Sequence, residues 1–256
     1  MDKHRKQNST LTPALSRLRR GKVKFAIFDI DGTIFRSSLV IELMRSLVKH
    51  RIFPKAADKE AQKEYLAWLD RKGSYGDYIN KVVKIYIKYI AGKSSRNVYR
   101  VAKEVVKYQK DRTYRYTRDL IKQLKKQGYF LVAISGSPIY IVEEYAKAVG
   151  FNVWFGTEIE VKGGKFTGKV LNLDSAFKKD KVLFNYLKQR NMAVDWEKSV
   201  AVGDTETDVS ILGRVGRSIA FNPNRQLAEI AKRKKWEIVV ERKDVAYGID
   251  DFRFMI

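Results

Sequence analysis

The 256-residue chain contains no cysteine, which excludes a disulfide framework, a thiolate nucleophile and any zinc or iron–sulfur centre built on Cys. Its two histidines, His4 and His50, are too few for a soft-ligand transition-metal site. Prolines number only 4 against a hydrophobic fraction of 45%, so wholesale disorder is excluded and a globular core is expected. No apolar stretch approaches the roughly 20 residues needed to cross a bilayer. Residues 1–10 lack the apolar core of a secretory signal, and a cytoplasmic location is expected.

Acidic residues are scarce overall. With 29 Asp and Glu against 52 Lys and Arg, the formal net charge is +23. Residues 1–24 hold eight of the basic side chains and one acid, Asp2, so residues 1–22 are read as a basic N-terminal tail and the remaining charge as solvated helix faces. A non-catalytic, basic nucleic-acid-binding module is one function such charge suggests. No zinc finger, glycine-rich RNA-binding signature or aromatic-basic repeat accompanies it, and nucleic acid is not an expected partner.

What acid there is gathers in two places. Phe28 to Thr33 reads Phe-Asp-Ile-Asp-Gly-Thr, and Val202 to Asp208 reads Val-Gly-Asp-Thr-Glu-Thr-Asp. Each follows an apolar run that reads as a buried strand, so the carboxylates fall at strand ends. In an open α/β sheet that edge holds the active site, and acids so placed point to a metal site. A turn-capping role for Asp29 and Asp31 is the alternative, and the second acidic cluster on another strand end argues against it.

Periodicity supplies the frame. After the first strand, residues 39–49, 61–71, 75–90 and 97–109 have helical spacing with no convincing strand between them. Residues 117–127 read as a helix stopped by Gly128, and 129–134 as a strand with Ser135 at its end. Pro138 suits the first turn of a helix running to about Val149. Residues 158–170 alternate around Lys162-Gly163-Gly164-Lys165, a hairpin signal. Residues 179–189 read as a helix with Val182, Leu183, Tyr186 and Leu187 as its apolar stripe, followed by strands at 199–202 and 218–221. The expected fold is α/β: a Rossmann-like three-layer core with a parallel sheet, plus an inserted all-helical segment. The core would comprise residues 23–35 and 113–256, and the insert residues 36–112.

In this order of motifs the chain resembles the haloacid dehalogenase superfamily of phosphohydrolases, in its phosphoserine-phosphatase-like branch. Asp29-Ile30-Asp31-Gly32-Thr33 resembles the first motif of that family, Ser135-Gly136-Ser137 the second, Lys179 the third, and Gly203-Asp204 through Asp208 the fourth. The helical insert, residues 36–112, is similar to the family's C1-type cap domain.

The resemblance implies a magnesium-dependent phosphomonoester hydrolase acting on a small phosphorylated metabolite through a phosphoaspartyl intermediate. Mg2+ prefers oxygen ligands and few protein carboxylates, and Asp29, Asp204 and the main-chain carbonyl of Asp31 would supply them. Asp29 would be the nucleophile and Asp31 the general acid and base. Gly32 would let the backbone turn tightly beside the phosphate, with Thr33 fixing the loop. Ser135 and the Gly136 amide would bind phosphate oxygens, with Lys179 adding positive charge. Lys178 and Lys181 compete with Lys179 on composition alone, and alignment to the family pattern selects Lys179. Asp208 would orient Lys179 or a metal-bound water, or else stand as a helix N-terminal acid.

Two readings depart from the phosphoserine pattern. Ser38 stands where a cap glutamate is expected, with Glu42 one helical turn later, and only Arg71 and Lys81 offer themselves as the cap cation. Tyr65, Trp68, Tyr75, Tyr78, Tyr86 and Tyr89 are expected to pack between helices, with a substrate pocket as the alternative. A phosphotransferase on the same fold is a second catalytic reading.

Overall fold

The protein is described from a computed structural model covering residues 22–249; the basic N-terminal segment expected over residues 1–22 falls outside the described residues, Lys22 apart. At the centre lies β1 (Phe25–Phe28), whose four residues are all buried. It is flanked on both sides by parallel strands, β2 (Phe130–Pro138) and β5 (Val200–Gly203), which explains an uninterrupted apolar run in place of alternation. The sheet extends through β3 (Val153–Lys162) and β4 (Lys165–Asn172) on one side, and β6 (Arg217–Phe221), β7 (Glu237–Arg242) and β8 (Val245–Gly248) on the other. The order is β4-β3-β2-β1-β5-β6-β7-β8. The six inner strands are parallel, while β4 and β8 pair antiparallel at the two edges. The expected parallel core is thus bordered by an antiparallel strand at each edge, where a short turn returns the chain; the one at Gly163-Gly164 is the expected hairpin.

Alternate residues of β1 face opposite layers, as a pleated strand requires. Ala26 and Phe28 join one apolar cluster, Phe25 and Ile27 the other. The first cluster takes α6 (Arg115–Lys126) and α7 (Ile139–Val149), together with the helices inserted between β1 and β2. The second takes α9 (Lys179–Arg190) and α11 (Arg225–Lys234). Two short helices, α8 (Asp174–Phe177) and α10 (Val209–Leu212), complete the connections.

The inserted helices are α1 (Leu39–Lys49), α2 (Ala56–Glu60), α3 (Gln62–Leu69), α4 (Tyr75–Ile90) and α5 (Ser95–Gln109). The helix expected over 61–71 is the shorter α3, which Ala61 separates from the preceding α2 and which ends before Arg71; Arg71 is left-handed (φ 59°), as is Arg51 (φ 57°). The insert has no core of its own. Val82, Ile85, Tyr86 and Val98 lie in the same apolar cluster as the sheet.

Three local differences matter for the site. Strand β2 runs past Ile134 through Ser135 and Gly136, so Ser135 is inside the strand, but its parallel pairing with β3 is interrupted between Ile134 and Pro138. That irregularity re-aims the backbone there. Pro138 is the residue before α7, not part of its first turn. On α9 only Leu183 and Leu187 of the expected stripe are buried, joined by Lys179.

Candidate active site

Strand order reverses on either side of β1, and it is at the C-terminal edge of such a switch point that open α/β sheets bind their ligands. Asp29 leaves β1 there with its N–H donating to Val202 O at 3.0 Å, which ties the first acidic string to the strand carrying the second. Gly32 follows in a left-handed conformation (φ 81°), and a Cβ on it would lie 2.2 Å from Asp204 Oδ2. Only glycine permits both the turn and this close approach. Thr33 Oγ1 donates to Asp204 Oδ1 at 3.2 Å, a second link between the two strings.

Lys179, the first residue of α9, is 2% exposed and reaches the same place. Its Nζ donates to Asp29 Oδ1 and to Asp208 Oδ1, each at 2.5 Å. Its rivals point elsewhere: Lys178 and Lys181 are exposed, and Lys181 pairs with Asp174. Asp208 serves both of its expected roles at once. One carboxylate oxygen holds Lys179, while the other accepts from the N–H groups of Asp204 and Thr205 at 3.0 and 3.1 Å. A Cβ on Gly203 would fall 2.3 Å from Asp208 Cγ, so the glycine before Asp204 makes room for that carboxylate.

Asp29 and Asp208 thus hold one ammonium between them, and Asp204 lies within its field. Burial, outweighing Lys179, raises the Asp29 carboxyl to about 7. Burial and the neighbouring Asp29 raise Asp204 well above the usual carboxylate range, while Lys179 is pushed upward by Asp208 and Asp29 against its own burial. Taking charge out of water is costly, so an excess of carboxylate at one buried point demands further cation. Asp29 Oδ2 is buried with no hydrogen-bond partner among the described residues. The donors are all oxygens, which fits a hard divalent cation. No group of three His, Cys, Asp or Glu side chains capable of holding a metal occurs among the described residues; a set of two carboxylates and a carbonyl does not require one.

Asp31 is placed differently. Its Oδ1 accepts from Leu39 N at 2.5 Å, at the start of α1, where Ser38 provides no side-chain cap. Its Oδ2 accepts from Ser135 Oγ at 2.5 Å and Ser137 Oγ at 2.9 Å. Ser135 is therefore turned to Asp31, and the cradle expected from it faces the acid. Ser137, the second serine of the Ser-Gly-Ser string, is a site residue that sequence reading did not single out; it also accepts from Val40 N at 3.1 Å. Gly136 is exposed between two buried serines, and its carbonyl is held by Thr157 Oγ1 at 2.7 Å. Asn222 does not enter the site: it takes a left-handed turn (φ 44°), and its side chain accepts from Glu241 N.

Comparison with known proteins places the chain in a family. The sequence profile of the haloacid dehalogenase-like hydrolases matches residues 26–213, and the chain belongs to that family. Within it the chain is similar to phosphoserine phosphatases. It is 23% identical over 226 residues to the phosphoserine phosphatase of Methanocaldococcus jannaschii, covering 88% of this chain and 95% of that one. It is 22% identical over 209 residues to the phosphoserine phosphatase of Archaeoglobus fulgidus, covering 81% of this chain but only 55% of the relative's length. The fold matches a solved Bordetella pertussis protein of unknown function (TM-score 0.69, 19% identity, 85% and 98% covered) and a phosphoserine phosphatase solved as a phospho-aspartyl intermediate analogue (TM-score 0.58, 24% identity, 88% and 96% covered). Among the described residues no helix is long and apolar enough to cross a membrane.

Proposed function

We propose that the protein hydrolyses phosphomonoesters of small organic alcohols through a phosphoaspartyl intermediate on Asp29, with Mg2+ as cofactor. The observation that carries this reading is the state of Asp29: one carboxylate oxygen is held by Lys179, and the other is buried, without a partner, beside Asp204. Asp29, Asp204 and the carbonyl of Asp31 are the groups that would hold magnesium. Its contribution when bound is to offset the charge shared by a carboxylate and a phosphate dianion.

The chain's own residues do the rest. Lys179 fixes the Asp29 carboxylate in one orientation, leaving Oδ2 to attack phosphorus. As the Oδ2–P bond forms and the ester P–O bond breaks, Asp31 delivers a proton to the departing alkoxide. It then takes a proton from the water that attacks phosphorus, the Oδ2–P bond breaks, and inorganic phosphate leaves. Ser135 and Ser137, which both donate to Asp31 Oδ2, hold that carboxyl in place. The exposed Gly136 amide and Lys179 supply positive character for the phosphate oxygens. In this reading residues 36–112 form the cap over a core of 23–35 and 113–256, and shield the reaction from water.

The test is a panel of phosphorylated metabolites with and without magnesium and a chelator. Wild type is expected to release inorganic phosphate only with the cation. Asp29→Asn is expected to lose activity by about a thousandfold or more while keeping its fold. Substantial magnesium-dependent turnover in that variant overturns the nucleophile assignment, and phosphate transfer to added alcohols in preference to water makes the enzyme a phosphotransferase.

A further inference from the structure

Three elements that lie far apart in the chain meet at one hydroxyl. Strand β2 carries Ser137 near its end, the loop after β1 carries Asp31, and α1 begins at Leu39. The first N–H groups of a helix have no partner inside it and must find one elsewhere. Ser38, just before α1, gives no side-chain bond. Leu39 N donates instead to Asp31 Oδ1 at 2.5 Å, and Val40 N to Ser137 Oγ at 3.1 Å. A serine hydroxyl has one proton to give. With Val40 N occupying a lone pair, Ser137 Oγ directs that proton to Asp31 Oδ2 at 2.9 Å.

The main chain that carries this hydroxyl is held independently. Ser137 N donates to Ser135 Oγ at 2.9 Å, and Gly136 O accepts from Thr157 Oγ1 at 2.7 Å. On β3, a Cβ added to Gly156 would lie 2.9 Å from Ser137 O and 2.7 Å from Ile139 Cα, so the absence of a side chain there lets β3 press on this segment. Ser137 is 3% exposed. Helix α1 is anchored in turn by Leu39, Val40, Leu43, Met44 and Leu47 in the apolar cluster it shares with the sheet. Ser135 also donates to Asp31, but its hydroxyl is otherwise held by Ser137 N, so its placement depends on Ser137.

We infer that Ser137 is the positioning residue of the general acid: by joining Asp31 to the first turn of α1, it holds the Asp31 carboxyl in the orientation from which a proton reaches the departing oxygen. This rests on the phosphomonoesterase reading given above. The proton passes from Asp31 to the ester oxygen as the P–O bond breaks, and Ser137 transfers none. The benefit is confined to leaving groups that need a proton. Nitrophenolate is stable as an anion and leaves without one, whereas the more basic phenolate gains from receiving it.

The experiment measures kcat/KM, with magnesium, for wild type, Ser137→Ala, Ser137→Cys and Ser137→Thr on p-nitrophenyl phosphate and phenyl phosphate. This parameter reports events up to the breaking of the ester bond, so hydrolysis of the intermediate does not enter it. Ser137→Ala is expected to lower it about tenfold on phenyl phosphate and less than about twofold on p-nitrophenyl phosphate, part of what a well-placed acid contributes. The ratio of the two substrates within one preparation is independent of the fraction of protein that folds. Ser137→Cys fills the same place with a weaker donor and is expected to show the same selective loss, which keeps the test open if the alanine variant does not fold. Ser137→Thr keeps the hydroxyl and is expected to restore the wild-type ratio. Equal losses on both esters indicate a packing role and overturn the inference, as do no loss on either, a threonine variant as selective as the alanine one, or wild-type turnover of p-nitrophenyl phosphate alone. Wild type inactive on both esters removes the underlying function instead, so the two failures are distinguishable.

Discussion

Two regions face each other across the site and are held together by different forces. The sheet edge is locked by short charge-assisted bonds: Lys179 between Asp29 and Asp208, and Asp31 between the Leu39 amide and two serines. The roof above it, from α3 and the start of α4, is held by ring contacts among Tyr65, Trp68, Tyr75 and Tyr78 at 5.2 to 6.2 Å. A buried ion network has one low-energy arrangement and tolerates no loss of a partner, whereas aromatic packing accepts swaps that conserve volume. The difference predicts unequal responses to substitution in the two regions.

The largest contrast is in stability. Lys179→Met is expected to cost about 3–5 kcal/mol, because Asp29 and Asp208 are left buried without their cation. Trp68→Phe, in a half-buried ring cluster, is expected to cost about 1 kcal/mol. Urea unfolding of both variants measures the two. Adding Asp29→Asn to the Lys179→Met chain should restore part of the loss by removing one of the stranded carboxylates. Similar costs for the two single variants, or no recovery in the double, break the proposed distinction.

The same difference explains what was legible in the sequence. The central strand, the hairpin at Gly163-Gly164 and the order of helices follow from apolar runs and turn residues that leave few alternatives, and Asp29, Asp204, Lys179 and Asp208 are brought together at one point. Acid types at strand ends are constrained by what phosphate chemistry needs. Ser137 and the turning of Ser135 toward Asp31 were not legible, because they depend on an irregularity in β2 pairing that no residue pattern announces. The roof was harder still. Tyr65, Trp68, Tyr75 and Tyr78 share a helix-like spacing, and that they pack on one another across two helices follows from where α3 ends and where the Ser74 cap starts α4. The shared apolar cluster of insert and sheet was equally invisible, since periodicity shows that a helix has an apolar face and not what covers it.

A smaller effect separates the regions by pH. Asp29, raised to about 7 by burial, must lose its proton to bind a cation, so protons and magnesium compete for one carboxylate. Above pH 7 the carboxylate is ionised and affinity is at its plateau; below it, affinity falls as the proton binds. Calorimetry at pH 8 and pH 6 is expected to show magnesium binding weakened about tenfold at the lower value, with proton release on binding. Asp29→Asn should alter this dependence, leaving the part that belongs to Asp204, itself raised by burial, whereas Tyr75→Phe should leave it unchanged, since the phenol stays neutral throughout. A pH-independent affinity in wild type counts against Asp29 as a ligand.

The smallest expected effect is an absence of change, and it concerns how far the roof moves. One side of the insert is bound to the core by main-chain hydrogen bonds: Gly92 N to Phe166 O at 2.8 Å, Phe166 N to Lys93 O at 3.0 Å and Ser95 N to Gly164 O at 2.9 Å. Phe166 is buried there against Tyr99 and Tyr140. The β3–β4 hairpin thus fastens the α4–α5 turn to the core, in addition to the paired linkers where Arg36 N meets Arg112 O and Tyr114 N meets Ile34 O. Ser94 and Lys165 form an antiparallel bridge between these bonds, a spacing that a disulfide can span. Because the chain has no other cysteine, oxidising a Ser94→Cys, Lys165→Cys protein closes this seam alone. Because these bonds already hold the seam closed, turnover on p-nitrophenyl phosphate should be the same in oxidised and reduced protein. Loss of activity on oxidation, restored by reductant, would mean that the seam must open in each cycle and that the whole insert swings as one body.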